Sequence, residues 1–193
     1  NYVVLVRDDN GCNYPVPVTI TQPTPLMASV TDIVNVSCNG LSDGEVTVEA
    51  TAGSGTAPYS YSIDGGATWE ATGDFTGLAA GSYTVTVEDD NGCSVDIPVT
   101  ITEPAVLELN PTDDVLLDCY GDTDGNGVFY ALGGTMPYTF VEVTNTAGAT
   151  LATPSGFNSQ SIFAAGAGLV TVRVVDANGC EAEATITFNQ PDQ

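Results

Sequence analysis

The 193-residue sequence contains no histidine and no lysine, and its only cationic side chains are Arg7 and Arg173. Without histidine there is no Ser-His-Asp or Cys-His centre, no imidazole base and no His-ligated zinc. Without lysine there is no phosphate-loop lysine, no Schiff base and no Lys–Asn isopeptide cross-link. Set against 25 acidic residues, the two arginines leave a net charge of −23. Such a chain repels phosphate backbones, so neither nucleic acid nor an anionic membrane surface is expected as a partner. No apolar run approaches the roughly 20 residues of a spanning helix, so no membrane insertion is expected in this segment. No basic-then-apolar stretch reads as a secretion signal.

What the sequence has is β-forming and turn-forming material. Hydrophobic residues make up 42%, enough for packed cores, and 21 Gly and 11 Pro punctuate runs rich in Val and Thr. This composition reads as all-β. Three segments align without gaps: 2–12, 83–93 and 170–180, ending in Asp8-Asp9-Asn10-Gly11-Cys12, Asp89-Asp90-Asn91-Gly92-Cys93 and Asp176-Ala177-Asn178-Gly179-Cys180. After each cysteine, apolar residues fall at alternate positions: Tyr14, Val16, Val18, Ile20; Val95, Ile97, Val99, Ile101; Ala182, Ala184, Ile186, Phe188. A proline follows each set (Pro23, Pro104, Pro191), and upstream Cys38-Asn-Gly-Leu-Ser-Asp-Gly44 matches Cys119-Tyr-Gly-Asp-Thr-Asp-Gly125. Self-similarity in fixed order marks tandem units. The units read as 27–107 and 108–193, with 1–26 as the last two strands of an earlier repeat. Because the first residue already sits inside a strand pattern, the chain is expected to be a fragment of something longer.

Period-2 alternation makes the repeats a series of half-buried strands. Tyr83, Val85 and Val87 should face in, and Thr84, Thr86 and Glu88 out. In 27–107 the expected strands are one ending at Cys38, then Glu45–Ala50, Tyr59–Ile63, a short strand, Phe75–Leu78, and a hairpin of Tyr83–Asp89 with Ser94–Thr102. Asn10-Gly11, Asn91-Gly92 and Asn178-Gly179 predict type I′ hairpin turns. Seven or so short strands in 80-odd residues predict tandem immunoglobulin-like β-sandwiches stacked end to end. The run from Leu78 to Tyr83 reads as a tyrosine corner. The junction Thr102-Glu-Pro-Ala-Val-Leu107 is short and stiffened by Pro104.

These motifs resemble the SprB-repeat family. The residues that carry the likeness are Cys38-Asn-Gly with Asp43-Gly44, Pro58-Tyr-Ser-Tyr-Ser62, Gly77-Leu-x-Ala-Gly-x-Tyr83-Thr-Val-x-Val87, Asp89-x-Asn-Gly-Cys93 and Thr100-Ile-Thr-Glu-Pro104. The likeness spans nearly the whole chain, is densest in 38–104 and thins between Val141 and Leu169. It implies a giant cell-surface adhesin of the gliding-motility kind, exported by type IX secretion, extracellular and non-enzymatic.

Three constellations carry candidate chemistry. Ser62-Ile-Asp64-Gly-Gly66-Ala-Thr68-Trp69 fits the Asp-box known from sialidase propellers. It occurs once, and the chain lacks the arginine triad a sialidase needs, so Asp64, Thr68 and Trp69 are read as a structural hairpin. Trp69 as a sugar-stacking platform is the alternative. Asp122-Thr-Asp124-Gly-Asn126-Gly127 fits the first half of a calcium loop, with alternate oxygens able to converge on one cation. The twelfth loop position is Gly133, so any site would borrow ligands from Asp118 or a carbonyl. A polar turn is the competing reading of this loop; Asp89, Asp90 and Asp114 are further candidates, read rather as a solvated acidic face.

The five cysteines show no CxxC spacing. In an extracellular repeat they read as a disulfide framework with partners beyond the fragment. Pairing within repeats (Cys38–Cys93, Cys119–Cys180) is simplest, but the two turns lie at opposite poles of such a sandwich. A strand of about eight residues separates them by roughly 27 Å, whereas bridged Cα atoms lie within about 7 Å. Head-to-tail stacking instead brings Cys38 to Cys180. Both pairings stay open on sequence alone.

The function expected is a structural stalk segment of a long extracellular adhesin or surface filament, with neighbouring repeats of the same chain, or other copies in a filament, as partners. A calcium-assisted lectin-like module binding surface glycans through Trp69, Tyr59 and Tyr61 is the alternative. An accessory domain of a secreted hydrolase ranks third.

Overall fold

Valine- and threonine-rich alternation, broken at Gly, Asn and Pro, gives extended backbone almost everywhere. The computed structural model describes residues 1–112, 114–151 and 158–193. Among these residues there is no helix, so none is long and apolar enough to cross a membrane. The chain is all-β. Its strands are β1 (Tyr2–Arg7), β2 (Asn13–Val18), β3 (Ala28–Val34), β4 (Gly44–Ala50), β5 (Tyr59–Ser62), β6 (Asp74–Leu78), β7 (Gly81–Asp89) and β8 (Ser94–Ile101). They continue as β9 (Glu108–Pro111), β10 (Val115–Leu116), β11 (Gly125–Leu132), β12 (Thr139–Asn145), β13 (Thr150–Leu151), β14 (Ser159–Ala165), β15 (Gly168–Val175) and β16 (Glu181–Asn189).

Backbone contacts divide the chain into two units. One is Asn1–Thr31, Thr47–Asp74 and Thr84–Val99; the other is Asp32–Val46, Phe75–Tyr83 and Thr100–Gln193.

In the second unit, β9–β16 form two four-stranded sheets, ordered β13-β14-β11-β9 and β10-β16-β15-β12. Lettered in chain order, these are the D-E-B-A and G-F-C sheets of the immunoglobulin arrangement, with β10 as an extra edge strand parallel to β16. Val170, Val172, Val174, Ile186 and Phe188 from one sheet pack with Leu109, Phe129, Ala131 and Ile162 from the other in one core. All but Leu109 are about 1% exposed or less. Burying side chains of this size stabilises by about 1.5–3 kcal/mol each. The core is the reason the sequence alternates.

The sheets β3-β4-β6 and β5-β7-β8 follow the same order, each without an outer strand. Their buried positions are again the alternating ones: Val46 and Val48 on β4, Val85 and Val87 on β7, Val99 and Ile101 on β8. The Tyr83 hydroxyl donates to the Ala79 carbonyl at 2.9 Å, which closes the tyrosine corner. In the first unit, β1 and β2 pair with each other in a two-stranded sheet.

One boundary departs from the sequence expectation. The first strand of the 27–107 repeat ends at Val34, not Cys38. Its continuation bonds elsewhere: the Val36 N–H donates to the Thr102 carbonyl at 2.9 Å, and Thr102 N–H donates to Asn35 Oδ1 at 2.9 Å. The same bond recurs just after β10, where Leu117 N–H donates to the Asn189 carbonyl at 2.7 Å. A long-range partner sets this end, and local pattern does not reveal it.

Candidate functional site

The residues that recur in fixed order are those of the cysteine-bearing turns. In all three hairpins the Asp N–H donates to the Cys carbonyl (Asp8–Cys12 3.1 Å, Asp89–Cys93 2.9 Å, Asp176–Cys180 3.0 Å). The Gly N–H returns to the Asp carbonyl (3.0, 2.9 and 3.1 Å). This is a three-residue loop, a type I turn followed by a glycine at positive φ (Gly11 +87°, Gly92 +77°, Gly179 +86°). The expected two-residue type I′ turn is therefore corrected. The reason is the aspartate, whose Oδ1 accepts the Cys N–H in every copy, at 2.8–2.9 Å. In the second and third copies it also accepts the Asn91 and Asn178 N–H groups.

Asp89 and Asp176 are buried. Their second oxygens take the N–H groups of Thr56 (2.9 Å) and Thr135 (2.8 Å). Hydrogen bonding, led by the Cys93 N–H, holds the Asp89 carboxyl below its ordinary pKa. Sequence reading offered Asp89 as a weak cation ligand, but its oxygens are committed to this turn. The signal that could have found the contact is Gly55-Thr-Ala-Pro-Tyr59 repeated as Gly134-Thr-Met-Pro-Tyr138. A Cβ on Gly55 or Gly134 would stand 2.9 or 2.7 Å from the aspartate Oδ2. Only glycine lets the carboxylate in.

The other cysteines sit in the turns that follow the first strand of each repeat. Leu41 N–H donates to the Cys38 carbonyl, as Asp122 N–H does to that of Cys119 (3.1 and 3.3 Å). Gly40 N–H is held by Glu103 Oε2 at 2.6 Å, and Gly121 N–H by Gln190 Oε1 at 3.2 Å. Asp43 takes both the N–H and the hydroxyl of Ser37, and the hydroxyl is the main reason its pKa is lowered.

Within the second unit the Cys38 turn meets the Cys180 hairpin. Cys38 and Cys180 are disulfide-bonded, with Cα atoms 5.8 Å apart across a sequence separation of 142. Asn178 Nδ2 donates to the Ser37 carbonyl at 2.8 Å beside the bond. A cleft of about 440 Å³ adjoins it, lined in part by Asn35, Glu103, Pro104 and Thr135. Cys12, Cys93 and Cys119 are free and exposed. The alternative pairing, Cys38–Cys93 with Cys119–Cys180, is thus not formed. Cys119 lies near the Asn189–Gln190 end of β16 and Cys180 precedes its other end, so nine residues of strand, about 30 Å, keep them apart.

The Asp-box residues come together as a closed hairpin. Asp64 accepts from Thr68 N–H (2.9 Å), the Thr68 hydroxyl (2.7 Å) and the Ser62 hydroxyl (2.8 Å). These bonds, Thr68 N–H first, lower the Asp64 pKa to about 2. Trp69 packs over Gly66 and is 41% exposed. The Tyr61 backbone closes this hairpin against Glu70 (2.9 and 2.8 Å), but the hydroxyls of Tyr59 and Tyr61 are engaged elsewhere. Tyr59 donates its hydroxyl to the Ser54 carbonyl at 2.6 Å, and the buried Tyr61 accepts the Ala50 N–H at 3.2 Å.

Of the calcium-loop residues, Asp122 is spent on the Cys119 N–H at 2.8 Å. Asp124 and Asn126 line a groove of about 310 Å³ with Asp118. Asp114 accepts the Thr187 N–H at 2.8 Å. Among the described residues no group of three or more His, Cys, Asp or Glu is placed to hold a metal ion. The chemistry the recurring site does offer is cross-linking.

Among solved structures, the C-terminal 282-residue fragment of intimin, in complex with the intimin-binding domain of the translocated intimin receptor, is similar at 17% identity and a TM-score of 0.44. The match covers 89% of this chain and 64% of that one. Invasin, a bacterial integrin-binding protein, is 16% identical with a TM-score of 0.41, covering 97% of this chain and 45% of its own. The human desmocollin-1 ectodomain is 14% identical with a TM-score of 0.38, covering 95% and 40%. The chain thus spans less than two thirds of the length of each. No curated protein matches the sequence. The resemblance carried by the motifs meets a family model directly: residues 30–68, about a fifth of the chain, match the SprB repeat.

Proposed function

We propose that this chain is a structural stalk segment of a long extracellular adhesin or surface filament, projecting from the cell and serving attachment or gliding. The observation that carries the reading is the Cys38–Cys180 disulfide, which ties the first turn of the 27–107 repeat to the closing hairpin of 108–193. Such a bond persists outside a reducing cytosol, and it is of use to a protein that must keep consecutive repeats in fixed register. Residues 1–26 then supply the end of a preceding repeat. The SprB-repeat match at 30–68 supports the same class of protein. The net charge of −23 suits a surface that must stay solvated and must not adhere to its own anionic envelope.

The test is display and function on the source cell. Antibody raised against the chain should label intact cells, external protease should remove the label, and deletion of the segment should reduce attachment or gliding. Protection from both reagents until the cells are lysed would overturn the reading.

A further inference from the structure

We infer that the free thiols of Cys93 and Cys119 are the two halves of the same cross-link that Cys38 and Cys180 have already made, each awaiting a further repeat of this kind. The inference deepens the stalk reading by naming its covalent partner.

The bonded pair shows what each half requires. On the hairpin side, Cys180 sits in a turn whose Asp176 holds its N–H at 2.9 Å. Asn178 Nδ2 bonds both Thr135 Oγ1 (3.2 Å) and the carbonyl of Ser37, the residue before the partner cysteine. Cys93 has the same turn, with its N–H on Asp89 Oδ1 at 2.9 Å and Asn91 Nδ2 on Thr56 Oγ1 at 2.7 Å. Among the described residues Asn91 makes no equivalent of the bond that Asn178 gives to Ser37, which is the one an incoming turn would receive. On the turn side, Cys38 sits on the Glu103-Pro104 segment through Gly40 N–H and through Asn39 Nδ2, which donates to the Pro104 carbonyl at 3.0 Å. Cys119 sits on the corresponding Gln190 through Gly121 N–H. Gly40 and Gly121 share φ of +80° and +84°. The bonded copy and the free copies differ in the presence of a partner, and both free sulfurs are exposed to meet one.

The rule that follows is that the first-turn cysteine of each repeat bonds the closing-hairpin cysteine of the next. Cys119 takes the hairpin cysteine of a following unit, and Cys93 takes the turn cysteine of a preceding one. Each bond forms from two thiols, which give up two protons and two electrons to a disulfide oxidant. Glutathione disulfide in that role becomes two molecules of glutathione.

Two experiments test this. The protein is isolated from its own cells without reduction, with thiols blocked at harvest, and its peptides are mapped. The Cys93 and Cys119 peptides should each be joined to a peptide of the complementary motif, and recovery of both as blocked free thiols would overturn the inference. In the second, residues 1–191 are followed directly by a second copy of 105–193, mass-tagged in that copy by Glu183→Asp and stripped there of its own turn thiol by Cys119→Ser, and the chain is oxidised with glutathione disulfide. Cys119 should pass from complete alkylation in the 193-residue chain to near none, joined to the tagged copy's Cys180. A Cys38–Cys180 bond formed with Cys119 still fully alkylated would refute it. This outcome is independent of where the protein resides, so it separates the cross-link from the stalk reading.

Discussion

The β1–β2 and β15–β16 hairpins carry one motif and have opposite surroundings. Val172 and Val174 are fully buried, while their counterparts Val4 and Val6 are 50% and 55% exposed. The pairing is equally regular in both, from Tyr2↔Val18 to Arg7↔Asn13 and from Gly168↔Phe188 to Val175↔Glu181. Local chemistry therefore makes the hairpin, through the Asp-x-Asn-Gly turn and the alternation. A facing sheet makes the core, and among the described residues none covers β1–β2. Two strands alone are marginal in water, so the comparison separates what a turn can specify from what packing must supply.

The largest test of that contrast is a buried charge. Val172→Asp should cost more than about 4 kcal/mol and abolish the melting transition of the second unit, because an unpaired carboxylate has no place in that core. Val4→Asp should shift it by less than about 0.5 kcal/mol. Differential scanning calorimetry of the two variants reads both, and equal effects would break the comparison.

The cysteines come next. Cys180→Ser should cost about 2–5 kcal/mol by releasing a loop closed over 142 residues. Cys12→Ser should leave the denaturation midpoint unchanged. The turn aspartates sharpen the point further. Asp176→Ala strands the N–H groups of Cys180, Asn178 and Thr135 and should cost about 3 kcal/mol in urea denaturation. Asp8→Ala, at an exposed copy, should cost under about 1 kcal/mol.

Acid extends the contrast to bonded carboxylates. The Asp43, Asp64 and Asp89 pKa values are depressed in the folded chain, that of Asp64 to about 2 from 3.8. A depressed pKa contributes stability that is complete above the unfolded value and lost as pH falls through the folded one. The melting temperature should be level above about pH 5 and fall between about pH 4 and 2. Asp64→Asn should flatten part of that fall. The smallest effect belongs to the Arg173–Glu181 ion pair on β15–β16, at 3.0 Å and partly exposed. Glu181→Gln should cost no more than about 0.5 kcal/mol, and nothing in 1 M salt.

Most of the strand plan was legible because alternation reports burial directly. Val85, Val87, Val99, Ile101, Val170, Ile186 and Phe188 all lie where their period put them. Three features were not legible, each because a distant group decides it. The end of β3 is set by Thr102, 68 positions beyond Val34. The turn type is set by an aspartate side chain rather than by the Asn-Gly pair. The role of Tyr59 and Tyr61 is set by backbone groups at Ser54 and Ala50. The site itself was half legible. Pole geometry argued for Cys38–Cys180 against the pairing within repeats, but nothing local pointed to Ser37, Glu103 or Gln190 as its supports.

The Cys38–Cys180 bond also limits how far the molecule can lengthen. Pulled from its ends, the chain carries tension from residue 38 straight to residue 180 through the sulfurs, and the 141 residues between them hang outside the line of force. Were both sandwiches to lose their structure, about 460 Å of contour would stay hidden, at roughly 3.3 Å per extended residue. Repeated along a fibre, overlapping bonds of this kind would make its length a covalent property, independent of whether any one core is folded.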